Sequence, residues 1–591
     1  MRRFVELRRH GYRQPMREVP VIDLFSGPGG LSEGFARYHQ RDWNRTLSPV
    51  VQGTWPMTPA CRFGIRLSIE KDEQAHQTLT LRAFCRQFDG FPPGYADLLR
   101  GTISASELMA RYPVEAAAAR EEAWHGELGE QPTLNTRQDV DARVRRALGK
   151  EADRPWVLIG GPPCQAYSLV GRARRAGMAG YVPEQDERHF LYRDYLRIVA
   201  KFAPAVFVME NVKGVFSAKV GGAPIFERMQ QDLERPFRVS PEPVADRHEY
   251  RLYSFVESES LYVNGTGADF LIRSEQHGVP QTRHRVIILG VRKDIRLEKL
   301  LHLPRRETVP LRRVIGDLPE IRSEVSRRGS TDLTWEDAVG AATKAQWLAK
   351  VPPEVKRTMI EAAHAARRLR SSKSDPRCTT RLAAPLAAWY DPQGFRVVAN
   401  HESRGHMPSD LQRYLFAASF AKVEGRPPVL LDFPRAILPD HANATCEDGE
   451  PPIFNDRFRV QVADRPATTV TSHIAKDGHY FIHYDPSQCR AFTVREAARV
   501  QTFPDDYMFC GNRTAQFHQV GNAVPPMLAV QLAHVVATIL FPHGPAEQGK
   551  TKLEHGTDQG KGHSPGAGRQ ISAASHGVSV PPARQRAARK A

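Results

Sequence analysis

The 591-residue chain lacks any run of about 18 consecutive apolar residues, and its opening stretch, MRRFVELRRH, has no apolar core of the kind a secretory signal carries. No membrane contact is expected, and the reading predicts a soluble, cytoplasmic protein. Cysteine is scarce. Cys61, Cys85, Cys164, Cys378, Cys446, Cys489 and Cys510 are odd in number, scattered, and never spaced as CxxC. That argues against a disulfide framework or a zinc site and for a reducing compartment, so no metal is expected. Internal repeats are absent as well. Acidic charge is in the minority, with 66 Asp and Glu against 83 Lys and Arg, a formal charge of +17. Such a balance suits a polyanionic partner, although a basic surface with soluble tails would look the same. Residues 1–19 hold six arginines against two glutamates, and residues 545–591 hold eight basic against three acidic residues. The ends therefore carry about half of the excess, and the rest lies where a basic cleft could follow phosphates.

What is present is organised. Apolar runs VIDLF (21–25), FGIRLSIE (63–70), WVLIG (156–160), AVFVME (205–210) and RVIILG (285–290) alternate with helical patterns, which predicts a wound α/β sheet. The divisions expected are a basic lead-in (1–18), a sheet domain (19–299), a smaller second domain (300–464), a return to the first domain (465–544) and a basic tail (545–591) too poor in large apolar residues to fold. Within the sheet domain, residues 98–154 read as helices packed on the periphery. TVREAARVQTF (493–503) opens with Thr493 and Glu496 at capping-box spacing, and MLAVQLAHVVATIL (527–540) predicts a buried helix after Pro525 and Pro526.

Four blocks carry chemistry. In VIDLFSGPGGLSEGF (21–35), Gly27, Gly29 and Gly30 let a backbone turn approach a ligand before a helix that begins near Leu31, and Glu70 ends the next strand, where a carboxylate can accept from ribose hydroxyls. The turn is not GxGxxG, so a dinucleotide is disfavoured against a cofactor bearing an amino acid. GGPPCQAYSLVGRAR (160–174) mounts Cys164 on a stiff loop just past a strand, a suitable place for a thiolate nucleophile. FVMENVKGV (207–215) places Glu210 at the end of another strand, able to protonate a ring nitrogen. HGVPQTRHRVIILG (277–290) sets Arg283 and Arg285 at alternate positions, which predicts one shared face.

In this order the four blocks resemble the bacterial DNA (cytosine-5) methyltransferase family, as do RPATTVTSH (465–473) and QVGNAVPPMLAVQLA (519–533). The resemblance implies a Rossmann-like sheet binding S-adenosyl-L-methionine, double-stranded DNA as the substrate, and a target-recognition domain at 300–464. It implies that Cys164 attacks carbon 6 of a flipped-out cytosine, that Glu210 acts at nitrogen 3, and that Arg283 and Arg285 steady the flipped nucleotide. Phe25, Ser26, Gly27, Gly29, Glu70, Asn522 and Val524 fall where the family contacts its cofactor, and Asp97 is the candidate for an acidic residue at adenine. The expected setting is a monomer acting either beside a cognate restriction endonuclease or as an orphan methyltransferase. The polar stretch NHESRGHMPSDLQRY (400–414) is a further candidate for DNA contact. A tRNA cytosine substrate and a non-catalytic DNA-binding module remain the alternatives.

Overall fold

The computed structural model describes residues 17–38, 61–129, 132–151, 154–163, 191–220, 223–240, 246–256, 267–297, 300–326, 334–371, 384–439 and 455–542. Its centre is an eight-stranded sheet. The strands are β1 (Arg17–Leu24), β2 (Cys61–Glu70), β3 (Ala123–His125), β4 (Val157–Gly160), β5 (Val206–Val212), β6 (Tyr250–Ser254), β7 (Leu271–Arg273) and β8 (His284–Arg292). They lie in the order β3-β2-β1-β4-β5-β8-β6, with β7 also paired to β8. The first five are parallel, and β8 runs antiparallel to β5. Strand order reverses between β1 and β4, and open α/β sheets bind ligands beyond the carboxyl ends at such a point.

The apolar runs are continuous because both faces of these strands are covered. Along β1, Val19 and Val21 enter one core cluster while Ile22 and Leu24 enter another. The first face is covered by α1 (Gly30–Ala36) and by a C-terminal helix, Pro526–Leu540. The second is covered by α6 (Arg137–Leu148), α7 (Leu191–Phe202) and α8 (Ile225–Glu234). Before α6 come α2 (Glu73–Arg86), α3 (Tyr95–Leu99), α4 (Ala105–Ala110) and α5 (Pro113–Glu122).

Residues 98–154 are therefore not wholly peripheral. They contain β3, which pairs in parallel with β2, and α6, whose Val140, Val144 and Leu148 lie against the sheet. The strand is three residues long and follows α5 without a break, too short to leave a period of its own.

After the sheet the chain turns helical. The helices α9 (Trp335–Lys344), α10 (Pro353–Ala366) and α11 (Pro408–Glu424) share an apolar cluster with Phe458, Val460, Ile482 and Cys489. The chain then returns through α12 (Val494–Val500), α13 (Arg513–Asn522) and α14 (Pro526–Leu540). The Thr493–Glu496 capping box forms at the start of α12. Residues 513–540 are apolar enough over one window to cross a membrane, but 83% of that window is buried. Glycine on α1 allows this burial: a Cβ on Gly34 would fall 2.3 Å from Ala529 Cβ on α14.

Candidate active site

The turn after β1 is tied to β2 by its own backbone. Ser26 N–H donates to Ile69 O at 3.1 Å, and Gly27 N–H donates to Glu70 Oε2 at 2.7 Å. Phe25 at φ 56° and Gly29 at φ 88° adopt left-handed backbone, uncommon for a phenylalanine and maintained here by those bonds. Among the described residues no atom lies within 4 Å of where a Cβ on Gly27 would sit, so the outer side of the turn is open to them. Its inner side is closed, since a Cβ on Gly30 would fall 2.2 Å from Val524 O. Phe25, Ser26, Gly27, Gly29, Glu70 and Val524 thus gather at one place. Asn522, two residues before Val524, is exposed.

Glu70 also accepts from Asp72 N–H through Oε1 at 2.7 Å. Burial raises its pKa, against the pull of these backbone bonds. Beneath the turn, burial pushes the Asp23 carboxyl up to about 7, with Ser32 and Ser26 hydroxyls opposing and Glu70 adding to the rise. Among the described residues Asp23 Oδ2 has no hydrogen-bond partner.

Asp97 stands elsewhere. It is half exposed on α3 and pairs with Arg100 at 3.1 Å. A helix of 14 residues such as α2 carries the chain about 21 Å back from the carboxyl edge of β2 before α3 begins. Past the end of the neighbouring strand β3 stands another carboxylate, Glu127, whose neighbour Gly126 N–H donates to Glu70 O at 3.1 Å. Glu127 accepts from Lys71 Nζ at 2.5 Å and from Thr133 N and Oγ1 at 2.7 and 2.8 Å. Partial burial works against its charge, but Lys71 and Thr133 hold its pKa at about 2. The sequence reading missed Glu127 because it missed β3; the Gly126 that ends AWHG was the only local signal.

The second half of the edge is built from charge. Glu210 on β5 forms an ion pair with Arg285 Nε at 2.9 Å, both side chains largely buried. Strand register sets the pair up, since Glu210 faces Ile287 and Arg285 faces Val212. The other oxygen, Oε2, would lie 2.9 Å from a Cβ on Gly161, so a glycine there lets the turn after β4 pass the carboxylate. Burial lowers the pKa of Arg285, and Glu210 opposes that shift. Asn211, the next residue on β5, is buried and caps its own strand end by accepting from Val212 N–H at 2.8 Å. Cys164, three residues beyond Gly161, lies outside the described residues.

Arg283 does not share the open face expected for it. Its side chain is 1% exposed, and Nη1 donates to Val470 O at 2.7 Å and Gly521 O at 3.2 Å. It sits in the break between the Gln281–Thr282 strand pair and β8, which turns it inward. In the 400–414 stretch several polar side chains have partners within the fold, while Glu402, Met407 and Ser409 are exposed. His401 bonds Thr493 Oγ1 and Pro319 O, Arg404 donates to Ile474 O and Lys476 O, and Arg413 pairs with Asp410. His401 thereby ties the stretch to the start of α12 and Arg404 ties it to the 474–476 turn, while the Arg413–Asp410 pair lies within α11. Among the described residues no group of His, Cys, Asp and Glu could hold a metal ion.

Residues 135–236 and 269–537, together more than half of the chain, match the C-5 cytosine-specific DNA methylase family. The type II methyltransferase M.Bpa9945I of Bacillus paralicheniformis is 31% identical over 542 residues, covering 88% of this chain and 99% of that protein. The type II methyltransferase M.AgeI of Thalassovita gelatinovora is 26% identical, covering 67% and 85%. The DNA (cytosine-5-)-methyltransferase M.ApeKI of Aeropyrum pernix is 26% identical, covering 66% and 82%. With Glu70 and Glu210 at strand ends on either side of the switch point, and with a family model matched over more than half of its length, the chain belongs to the C-5 cytosine-specific DNA methylase family, the DNA (cytosine-5) methyltransferases.

Proposed function

We propose that the chain methylates carbon 5 of a flipped-out cytosine in a specific duplex DNA sequence, through a covalent bond to Cys164, with S-adenosyl-L-methionine as the methyl donor. The observation that carries this is Glu210, whose carboxylate sits against Gly161 on the turn that runs into Cys164. Three peptide units keep the Cys164 Cα within about 11 Å of that of Gly161 whatever the loop conformation. Neither group could reach a base inside the duplex stack, so the cytosine is turned out.

The Cys164 thiolate adds to carbon 6, and Glu210 gives a proton or hydrogen bond to nitrogen 3 as electron density moves into the ring. Carbon 5 becomes an enamine carbon, nucleophilic enough to accept a methyl group. Removal of the carbon-5 proton then restores the double bond and expels the thiolate. Arg285 holds Glu210 and stands beside the place of the flipped ring. When bound, S-adenosyl-L-methionine supplies a methyl group on an electron-poor sulfonium. Glu70 presents its remaining lone pairs to ribose hydroxyls, and the open side of Gly27 lets the cofactor lie on the backbone. Phe25, Ser26, Gly29, Asn522 and Val524 complete that half of the site, and Glu127 takes the place of Asp97 as its acidic neighbour.

Residues 300–464 serve as the target-recognition domain, where phosphate contacts position the duplex and base-edge contacts read it. The chain is read as a cytoplasmic monomer, either the modification enzyme beside a restriction endonuclease of the same site or an orphan methyltransferase; the relatives named as type II methyltransferases favour the first of these two roles. The test is a covalent trap on duplex DNA carrying 5-fluorocytosine, with tRNA as the control substrate. Wild-type protein should give a denaturant-stable DNA adduct, and Cys164→Ala should give none while still binding the duplex. Methyl incorporation by Cys164→Ala, or an adduct on tRNA alone, would sink this reading.

A further inference from the structure

Arg283 is a buried cation whose hydrogen bonds go to backbone carbonyls rather than to a carboxylate. Such burial is costly, so it persists where the donors organise something. The carbonyls that Arg283 holds belong to two separate segments. Val470 follows Ala467–Thr468, which pairs in parallel with Gln281–Thr282, and Gly521 immediately precedes Asn522 at the end of α13. The segments touch through backbone: a Cβ on Gly521 would fall 2.3 Å from Ser472 N. Gln281 reinforces the same joint, accepting from Val470 N–H at 3.0 Å and donating to Val500 O at 3.0 Å. From Gly521 the chain runs to Val524, whose carbonyl packs on Gly30. Arg283 thus holds the chain three residues before the inner wall of the glycine turn, while two residues along the chain Arg285 reaches Glu210, whose charge also acts on Arg283.

We propose that Arg283 is a positioning residue for methyl transfer: by holding the carbonyls of Val470 and Gly521 it seats Asn522–Val524 against the glycine turn, so that the cofactor lies in register with Glu210. This rests on the reading of that turn as the cofactor site. It assigns the two arginines of the QxRxR block to opposite halves of the reaction, Arg283 to the cofactor and Arg285 to the base.

The experiment titrates S-adenosyl-L-methionine into the full-length protein without DNA by calorimetry, and measures kcat and cofactor KM on duplex DNA. Arg283→Gln should raise the cofactor Kd about tenfold or more, with KM rising in step. Arg283→Lys, which keeps one donor for the two carbonyls, should recover part of the loss. Arg285→Gln should leave the cofactor Kd within about twofold while lowering kcat. A wild-type Kd for Arg283→Gln, with only kcat reduced, would place Arg283 on the nucleotide and overturn the proposal. If Arg283→Gln fails to fold, Arg283→Lys at a wild-type melting temperature decides, a raised Kd supporting the proposal and an unchanged one overturning it. A wild-type protein that does not bind S-adenosyl-L-methionine fails the cofactor reading itself, a result distinct from any of these.

Discussion

Two glutamates end neighbouring parts of the same sheet edge, and they are held by different forces. Glu70 is gripped by backbone N–H groups of Gly27 and Asp72, and among the described residues no lysine or arginine forms an ion pair with its side chain. Glu210 is gripped by a guanidinium. Backbone dipoles fixed by strand register and turn geometry give a rigid acceptor, suited to neutral hydroxyls whose positions do not change during a reaction. A buried arginine supplies full charge in a place of low polarity, where the same arrangement matters far more than in water. Under the proposed function the edge therefore divides into a half that binds and a half where proton and electron density move.

Substitutions test that division, and the heaviest loss is expected at Glu210. Glu210→Gln keeps the shape but not the acid, and methyl incorporation into duplex DNA should fall about 10²- to 10⁴-fold with the cofactor Kd unchanged. Wild-type kcat in this variant would erase the distinction between the two glutamates. Glu70→Ala should do the reverse, weakening cofactor binding about 10- to 100-fold by calorimetry while kcat at saturation stays close to wild type.

A smaller effect is expected from Asp23, below the binding half. An aspartate in the unfolded chain titrates near 4, whereas burial holds Asp23 at about 7 in the folded protein. Between those values the folded state keeps a proton that the unfolded state has lost, so this residue's contribution makes stability fall as pH rises from about 4 to about 7. Asp23→Asn is neutral throughout. Its stability relative to wild type should improve across that window by up to about 1.4 kcal/mol per pH unit, read from melting temperatures at stepped pH. A constant gap between the two proteins would show that Asp23 does not carry this proton. The smallest change is expected at Asp97, where Asp97→Ala should shift stability and cofactor binding by less than about 0.5 kcal/mol. Glu127→Ala should weaken cofactor binding measurably, and the reverse outcome would return the acidic role to Asp97.

Much of the sheet was legible because its parallel strands are buried on both faces, which writes continuous apolar runs such as VIDLF and WVLIG into the chain. The Thr493–Glu496 cap and the buried Pro526–Leu540 helix were legible for equally local reasons. β3 was not, since AWH extends a helix without punctuation, and Glu127 went unseen with it. The role of Arg283 was hidden differently: its acceptors lie 187 and 238 positions away in the chain. Two arginines spaced to share a face look equivalent until a break in the strand pairing turns one inward. The partners of His401 and Arg404 in the 400–414 stretch, Thr493, Ile474 and Lys476, were hidden for the same reason.

Local pattern was thus enough to establish the glycine turn, the acids at the ends of β2 and β5, and the family that uses them. Those features depend on backbone conformation and on burial, which each short segment records in its own residue types. Which carboxylate stands beside Glu70, and which arginine faces Glu210, were decided only when distant segments met. A buried polar group takes whatever partner the fold delivers, and at Arg283 that partner is a pair of carbonyls, a choice no side chain in the sequence announces.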